Sequence, residues 1–216
     1  MKTIAIISQK GGAGKTTMAV HLAVEAQSRG FEAAIFDLDP QASAASWGDK
    51  RTNQTLPVVS AQAARLPNLL EQAEAQNADF IIIDSAPNAD AASLAAARAA
   101  DLILVPCRPS AFDLNAIGTT LNLASVAGKP AWVLLNAVPP QGKLGEEAQS
   151  ALREAKVQVI EPVIHHLIAF SHAVNDGRTA AEYDPKCKAA TEVTALFDWI
   201  AQEIDLKASR AIKKRA

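Results

Sequence analysis

The sequence predicts an α/β fold built on a doubly wound, mostly parallel sheet with helices on both faces. Short apolar runs alternate with helical patterns along the whole 216-residue chain. Most of these runs are continuous, and this is typical of strands that are covered on both faces. Because a helical pattern follows most of the strands, we expect right-handed crossovers between parallel strands.

Five strong strand candidates and two weaker ones carry this pattern. The strong ones are Thr3–Ser8, Ala33–Asp37, Phe80–Asp84, Leu102–Pro106 and Trp132–Asn136. The weaker ones lie at Pro57–Val59 and near Val157–Ile160. Helices are predicted at Thr16–Arg29, Ala61–Gln76, Asp90–Ala100, Leu114–Ala127, Gly145–Ala155 and Ala189–Ile204. Gly30 and Gly128 directly follow two of these helices, as expected for residues that end a helix.

The composition indicates a globular protein with a substantial core. Hydrophobic residues make up 49% of the chain and charged residues 20%, which are ordinary values for a globular domain. Cys107 and Cys187 form no CxxC pair, so we predict neither a disulfide framework nor a zinc site. We recognise no signal peptide and no run of about 18 apolar residues, and we therefore expect a cytoplasmic protein.

Positive charge is concentrated in the last ten residues. The formal net charge of the chain is −2. Residues 207–216 nevertheless contain five basic residues and no acid: Lys207, Arg210, Lys213, Lys214 and Arg215. We therefore expect a single domain over residues 1–206, followed by a basic tail over residues 207–216. The alternative is a chain end whose charges are simply solvated.

A glycine-rich segment after the first strand is the candidate phosphate-binding loop. It reads Lys10-Gly11-Gly12-Ala13-Gly14-Lys15-Thr16-Thr17. Its glycines allow the backbone to wrap closely around an anion, and the start of the following helix favours negative charge. Lys15 can reach the outer phosphates, and Thr16 can supply a hydroxyl to Mg²⁺. The segment predicts a nucleoside triphosphate site, whereas the alternative is a tight strand-to-helix turn.

Three acidic residues follow two of the predicted strands. Asp37 and Asp39 lie in the segment Asp37-Leu38-Asp39-Pro40-Gln41, and Asp84 ends the run Phe80–Asp84. Folds of this class bind ligands at the carboxyl edge of the sheet, which is where these carboxylates are expected. We predict that Asp84 holds Mg²⁺ beside Thr16, directly or through water. For Asp37 or Asp39, capping of the next helix is the alternative.

The segment Lys10–Thr17 resembles the deviant Walker A box of the ParA/MinD family of ATPases, and Asp37–Gln41 resembles its Walker A′ box. The resemblance implies a P-loop NTPase fold and an ATP sandwich dimer. It implies that Lys10 crosses to the partner's nucleotide and acts in catalysis with Lys15 and Asp39, which helps to position the attacking water. It further implies that Asp37 lies near the phosphate loop and the metal, and that Asn136 contacts the adenine edge.

Other segments also resemble short ParA proteins. Pro106–Ser110 together with Asp113 resembles a segment near the dimer contact, and Ser85–Pro87 resembles a switch loop. We expect Cys107 to be a packing residue, since no base is evident beside it. The resemblance also implies DNA binding without sequence preference, for which the candidates are Arg178, Lys186, Lys188, Lys207, Arg210, Lys213, Lys214 and Arg215. For these residues, ordinary solvated surface charge is the alternative.

These features predict a ParA-type ATPase that partitions or positions a plasmid or another cargo on the bacterial nucleoid. The expected cofactors are ATP and Mg²⁺, and the expected partners are a second copy of the chain, DNA and a small ParB-like adaptor. The alternative is a MinD-like ATPase that cycles on membranes. It is disfavoured because Leu206 and Ile212 are the only large apolar residues in the last eleven, too few for firm interfacial binding.

Two enzyme classes that share the loop are disfavoured as well. A metal-cluster reductase of the nitrogenase iron-protein type requires a cysteine pair that bridges the dimer, and Cys107 and Cys187 do not match it. A P-loop ligase such as dethiobiotin synthetase is disfavoured by Lys10 and by the Asp37–Gln41 box.

Overall fold

The computed structural model describes residues 1–87 and 90–207, and it confirms the predicted α/β architecture. The strands are β1 (Lys2–Ile6), β2 (Ala33–Asp37), β3 (Val58–Ser60), β4 (Phe80–Asp84), β5 (Leu102–Cys107) and β6 (Ala131–Leu135). They form one sheet in the order β3-β2-β4-β1-β5-β6. All five strand pairings in this sheet are parallel.

Helices connect these strands in the described part of the chain. They are α1 (Lys15–Ser28), α2 (Ser43–Asp49), α3 (Leu66–Ala75), α4 (Asp90–Ala99), α5 (Ala111–Ala127), α6 (Leu144–Glu154), α7 (Ile168–Asn175), α8 (Ala180–Tyr183) and α9 (Lys188–Glu203). A single 3₁₀ turn, Ala63–Arg65, precedes α3, so the first part of the helix predicted at Ala61–Gln76 is not α-helical.

The weaker sequence patterns account for the remaining differences. The stretch Val157–Ile160 contributes only an isolated parallel bridge between Val133 and Val159. Helices α2, α7 and α8 have no counterpart among the predicted elements. They have only seven, eight and four residues, and so short a segment shows little helical periodicity. A reciprocal capping box between Thr179 and Glu182 fixes the start of α8.

The sheet is covered on both faces, because successive strand residues point to opposite sides. Ile4, Ile6 and Phe80 pack with α1, α2 and α9 in one apolar cluster. Ala5, Ile7 and their neighbours pack with α3, α4, α5 and α6 in the other. This arrangement explains why the strands read as continuous apolar runs.

A buried histidine joins α1 to α8. His21 is 2% exposed. Its Nδ1 lies 2.7 Å from the Thr17 carbonyl oxygen, and the backbone amide of Ala180 donates to its Nε2 at 3.0 Å. These partners require a neutral ring that is protonated only at Nδ1. Burial lowers the pKa of His21 to about 4.

We therefore predict that His21 makes the protein less stable in mild acid. The unfolded state takes up a proton below its ordinary pKa near 6.5, whereas the folded state resists protonation down to about 4. Stability is thus present above pH 6.5 and is lost as the pH falls toward 4. From pH 7 to pH 5 the expected loss is about 2 kcal/mol.

Urea unfolding of the wild type and of His21→Gln at both pH values measures this contribution. The variant should lose about 2 kcal/mol less between the two pH values than the wild type. His172→Gln changes an exposed histidine and is the matched control. An equal pH dependence in wild type and His21→Gln would contradict the assignment.

Candidate nucleotide-binding site

The candidate site lies at the carboxyl edge of the sheet, where the chain leaves β1, β2 and β4. Helix α1 packs on one face of the sheet, whereas α4 and α5 pack on the other. In α/β sheets, ligands bind in the crevice that forms where helices from adjacent strands go to opposite faces. A cavity at this point is lined by residues from three loops and the start of α1: Gly11, Gly12, Gly14, Lys15, Thr16, Thr17, Asp39, Ser43 and Pro87. The structure therefore brings together most of the residues predicted to bind phosphate.

Two glycines give the loop its curvature. Gly12 has φ +71° and Gly14 has φ +95°, which is the left-handed region that favours glycine. Gly14 is also the residue that precedes α1, and its carbonyl accepts the first hydrogen bond of the helix, from Met18. The loop thus delivers the positive end of the α1 dipole to the cavity.

Two side chains from other segments donate hydrogen bonds to carbonyls of the loop, one just after β5 and one just after β6. The Nη2 atom of Arg108 donates to the Gly12 carbonyl. The Nδ2 atom of Asn136 donates to the Ala13 carbonyl at 2.7 Å. A Cβ on Gly14 would lie 2.2 Å from Asn136 Nδ2, so this close approach also requires glycine.

Asn136 has a contact that the sequence-based expectation did not include. It is 6% exposed, and its amide nitrogen supports the phosphate loop. The adenine contact implied by the family resemblance stays a prediction. Sequence reasoning identified the residue but not this contact, because a hydrogen bond between the ends of two strands leaves no local pattern.

Lys15 folds back toward the strand from which the loop emerges. It is 7% exposed, and its Nζ donates to the Ser8 carbonyl at 3.3 Å. Burial lowers the pKa of the Lys15 amine, while the charges of Asp84 and Asp39 oppose this shift. A buried ammonium beside two carboxylates is well placed to meet an anionic phosphate.

Asp84 and Thr16 form the candidate Mg²⁺ site. The Thr16 hydroxyl donates to Asp84 Oδ2 at 2.6 Å. Asp84 is fully buried, and its Oδ1 is the one buried side-chain polar atom without a hydrogen-bond partner in residues 1–87 and 90–207. Hard cations prefer such oxygen ligands. The unpaired oxygen beside a hydroxyl therefore fits Mg²⁺, with Thr16 and Asp84 as the residues that would hold it.

The electrostatics of Asp84 agree with a cation site. Burial raises the pKa of Asp84 to about 7, and the nearby charge of Asp37 adds to this effect, against the hydrogen bond from Thr16. A cation at the site would favour the charged form of the carboxylate.

Asp37 and Asp39 have different roles in the structure. Asp37 Oδ2 accepts hydrogen bonds from the Ala44 and Ala45 amides at 2.9 and 3.1 Å, so Asp37 caps the start of α2. Its Oδ1 accepts from the Asp39 amide at 3.0 Å. This geometry favours the capping alternative for Asp37, and its predicted contact with nucleotide is untested. Asp39 lines the phosphate cavity, as a residue that orients water would.

Lys10 does not line the cavity that is lined by Gly11, Gly12 and residues 14–17. Its Nζ pairs with Asp113 Oδ1 at 3.3 Å, and its side chain is 46% exposed. Asp113 lies in the first turn of α5, where Ser110 caps the helix by accepting from the Asp113 amide. Partial burial disfavours the ionised form of Asp113, but the hydrogen bonds from Ser110 and Lys10 outweigh it and lower the pKa of this carboxyl.

Cys107 is confirmed as a packing residue. It is 1% exposed, and burial raises the pKa of its thiol to about 12. The thiolate, which is the reactive form, is therefore absent near neutral pH.

The candidate DNA-binding residues do not form an acid-free surface in the described part of the chain. Arg178 pairs with Asp176 at 2.9 Å, Lys188 with Glu192 at 3.6 Å, and Lys207 with Asp205 at 2.8 Å. Lys186 is exposed. The remaining four candidates, Arg210, Lys213, Lys214 and Arg215, lie outside the described residues.

No helix of the described residues is both long and apolar enough to span a membrane.

One network was missed by sequence reasoning. Arg51 donates to the Gly177 carbonyl at 3.1 Å and pairs with Glu182 at 2.8 Å, and its guanidinium lies 4.6 Å from the Trp47 ring centroid. The Arg51 guanidinium thus connects the end of α2 to the segment around α8. No sequence motif predicts this contact, because Gly177 and Glu182 are more than 120 residues from Arg51 in sequence.

Comparison with known proteins identifies similar sequences. A family model described as the CobQ/CobB/MinD/ParA nucleotide binding domain matches residues 4–180. The chain is 34% identical to the maintenance of carboxysome distribution protein A of Gloeobacter kilaueensis, over 94% of both chains. It is 26% identical to the chromosome partitioning protein ParA of Myxococcus xanthus, over 90% of this chain and 86% of that protein.

Solved structures support the same fold. Apo McdA from Cyanothece superposes with a TM-score of 0.76 at 20% identity, covering 93% of this chain and 99% of that one. The MinD cell division protein of Aquifex aeolicus gives a TM-score of 0.78 at 17% identity, covering 94% and 98%. At these identities the likeness concerns the fold.

The placement of Asn136 leads to a prediction that separates its two candidate roles. Asn136→Ala leaves the Ala13 carbonyl without its partner, and we expect about tenfold weaker binding of ATP, ADP and inorganic triphosphate alike. Calorimetric or competition titrations of the three ligands measure the effect. Since inorganic triphosphate has no base, a loss confined to the two nucleotides would instead assign Asn136 to the adenine.

Proposed function

Because the chain belongs to the CobQ/CobB/MinD/ParA nucleotide-binding family, we propose that it is a positioning ATPase that works as an ATP-dependent sandwich dimer. The chain is a P-loop ATPase that uses ATP with Mg²⁺. In this proposal Lys15 contacts the outer phosphates, Thr16 and Asp84 hold the metal, and Asp39 orients the attacking water. Residues 1–206 act as one ATPase domain, in keeping with the packing of α9 on α1 in a shared core.

The observation that carries the dimer is the position of Lys10. The phosphate cavity is lined by Gly11, Gly12 and residues 14–17, and Lys10 is not part of that lining. Lys15 is buried beside the cavity, whereas Lys10 is exposed and held by Asp113. A lysine at this place is poorly placed for its own nucleotide, and this supports its action on the nucleotide of a facing protomer.

The energetics favour an ATP-dependent exchange in which Lys10 leaves Asp113 and contacts a phosphate of the facing protomer's nucleotide. A partly exposed ion pair such as Lys10–Asp113 contributes only about 0–1 kcal/mol, so its release costs little. A charge-assisted contact with a phosphate enclosed between two protomers is stronger than a hydrogen bond between neutral groups. ADP lacks the γ-phosphate and would hold the two protomers together less well.

We predict that Lys10→Ala abolishes ATP-dependent dimerisation but leaves ATP binding by the monomer within about threefold of wild type. Lys15→Ala should lose both properties, since it removes the cation of the loop itself. Sedimentation velocity with ATP or ADP in an Asp39→Ala background, which slows hydrolysis, measures the mass. The same mass with either nucleotide would contradict the sandwich dimer.

We further propose that the ATP dimer binds DNA without sequence preference. Three of the four described candidate cations are paired with acids, which reduces their attraction for phosphate. In the proposal, Lys186 and the basic residues Arg210, Lys213, Lys214 and Arg215 therefore provide most of the contact. Dimerisation makes the second engagement intramolecular, so avidity can rise by about 10² to 10⁴.

The salt dependence of DNA binding tests this proposal. Each phosphate contact changes the slope of log K against log salt by about −0.9. Lys186→Ala should therefore make the slope of a dimer about 2 units shallower, and replacing Arg210, Lys213, Lys214 and Arg215 by alanine about 7 units shallower. Fluorescence anisotropy with a random DNA duplex and ATP measures it.

The control for the salt measurement is Lys129→Ala, which removes one cation just after α5, a helix that packs on the opposite face of the sheet from α9. Equal DNA binding with ADP and ATP would contradict an ATP-controlled switch. ATP-dependent pelleting with anionic vesicles, in place of DNA binding, would instead support a membrane-cycling ATPase.

The proposed role is to position a cargo through an adaptor that stimulates hydrolysis. The Gloeobacter relative is named for carboxysome distribution, and the Myxococcus relative for chromosome partitioning. Positioning is common to both names, whereas the cargo differs. We therefore propose cargo positioning in the cytoplasm on nucleoid DNA, with a plasmid or a protein compartment as the cargo and a small ParB-like protein as the adaptor.

A further inference from the structure

We propose that Arg108 is a positioning residue of the phosphate loop. Its guanidinium holds the Gly12 carbonyl away from the cavity, so that the backbone amides of the loop remain available to a bound phosphate. The proposal rests on the nucleotide site assigned above, and it adds a residue outside the loop that sets the shape of the loop.

The contact joins two separate connections of the fold. Arg108 directly follows β5, and its Nη2 donates to the carbonyl of Gly12, which lies 96 residues earlier. Arg108 does not line the phosphate cavity, whereas Gly12 does. The guanidinium therefore contacts the loop from outside the residues that line the cavity.

The backbone around Arg108 is rigid. Pro106 and Pro109 restrict φ on either side of it. The carbonyl of Cys107 accepts a hydrogen bond from the Asn136 amide at 2.8 Å, which ties this connection to the end of β6. This backbone fixes the position from which the exposed Arg108 side chain extends, while ordering the side chain itself costs rotamer entropy.

The loop is shaped to receive this side chain. A Cβ at Gly12 would lie 2.9 Å from Arg108 Nη2, so any other residue there would push the guanidinium away. Gly12 also has φ +71°. Glycine at this position therefore serves the turn and the close approach of Arg108 together.

Arg108 has no carboxylate partner that competes for it. Among the described residues, no acid lies within 4 Å of its guanidinium nitrogens. Burial disfavours the ionised form of Asp113, but the hydrogen bonds from Ser110 and Lys10, with a smaller effect of the Arg108 charge, lower its pKa. That carboxylate is already engaged by Lys10 through Oδ1 and by Ser110 through Oδ2.

The position of the contact predicts which ligands it affects. A loop held in shape benefits every nucleotide whose phosphates lie in it, so ATP and ADP should be affected alike. A direct contact between an arginine and the γ-phosphate would instead affect ATP alone. The ratio of the two losses therefore separates positioning from direct binding.

Titration of ATP and ADP into the full chain tests the proposal. Arg108→Met removes the donor and keeps much of the length of the side chain. We expect it to bind both nucleotides about 3- to 10-fold more weakly, by similar factors. Arg108→Lys retains a donor and should bind more tightly than Arg108→Met. Arg98→Met removes a cation from the last turn of α4, at the other edge of the sheet, and should bind like wild type.

Three results would overturn the proposal. They are unchanged binding in Arg108→Met, a loss confined to ATP, and an equal loss in Arg98→Met, which would indicate a general effect of net charge. Lys15→Ala serves as the reference for the site itself. If wild type and Lys15→Ala bound nucleotide equally, the nucleotide site would be wrong, whereas unchanged binding in Arg108→Met alone would remove only the role of Arg108.

Discussion

The hydrogen bond between Thr16 and Asp84 is the contact on which the organisation of the candidate site depends. It joins the start of α1 to the end of β4 across adjacent strands, and it buries a carboxylate with one oxygen unpaired. An unpaired buried acceptor costs about 1–3 kcal/mol. A core residue without a function would avoid that cost, and burial raises the pKa of Asp84 despite the hydrogen bond from Thr16. A hard cation would stabilise both the charge and the unpaired oxygen.

The phosphate loop is shaped by the connections around it as much as by its own glycines. Gly12 and Gly14 supply the positive φ angles, but Arg108 and Asn136 fix two consecutive carbonyls from behind. Engagement of these two carbonyls limits the conformations that the loop can adopt. Preorganisation of this kind strengthens binding because the ordering cost is met during folding.

The sequence predicted the sheet, most helices and the residues that line the cavity, because each depends on local patterns. Apolar runs of five or six residues identified the strands, and the spacing of Lys10–Thr17, Asp39 and Asp84 identified the site. What it did not predict depends on contacts between distant segments. The sequence did not show that Asp37 binds the amides of Ala44 and Ala45, or that Asn136 binds the Ala13 carbonyl. The pattern of residues along the chain contains no information about either of these contacts.

The structure also shows how the nucleotide site is joined to the segment that carries Arg178 and Lys186. Asp37, adjacent to the cavity residue Asp39, caps the start of α2. Beyond the end of α2, Arg51 binds Gly177 and Glu182, and within the helix the Trp47 indole donates to the Arg178 carbonyl at 3.2 Å. Helix α2 has only seven residues, so both of its ends are fixed within about two turns. Asp37 and residues 177–182 are therefore connected through α2 by a short series of hydrogen bonds.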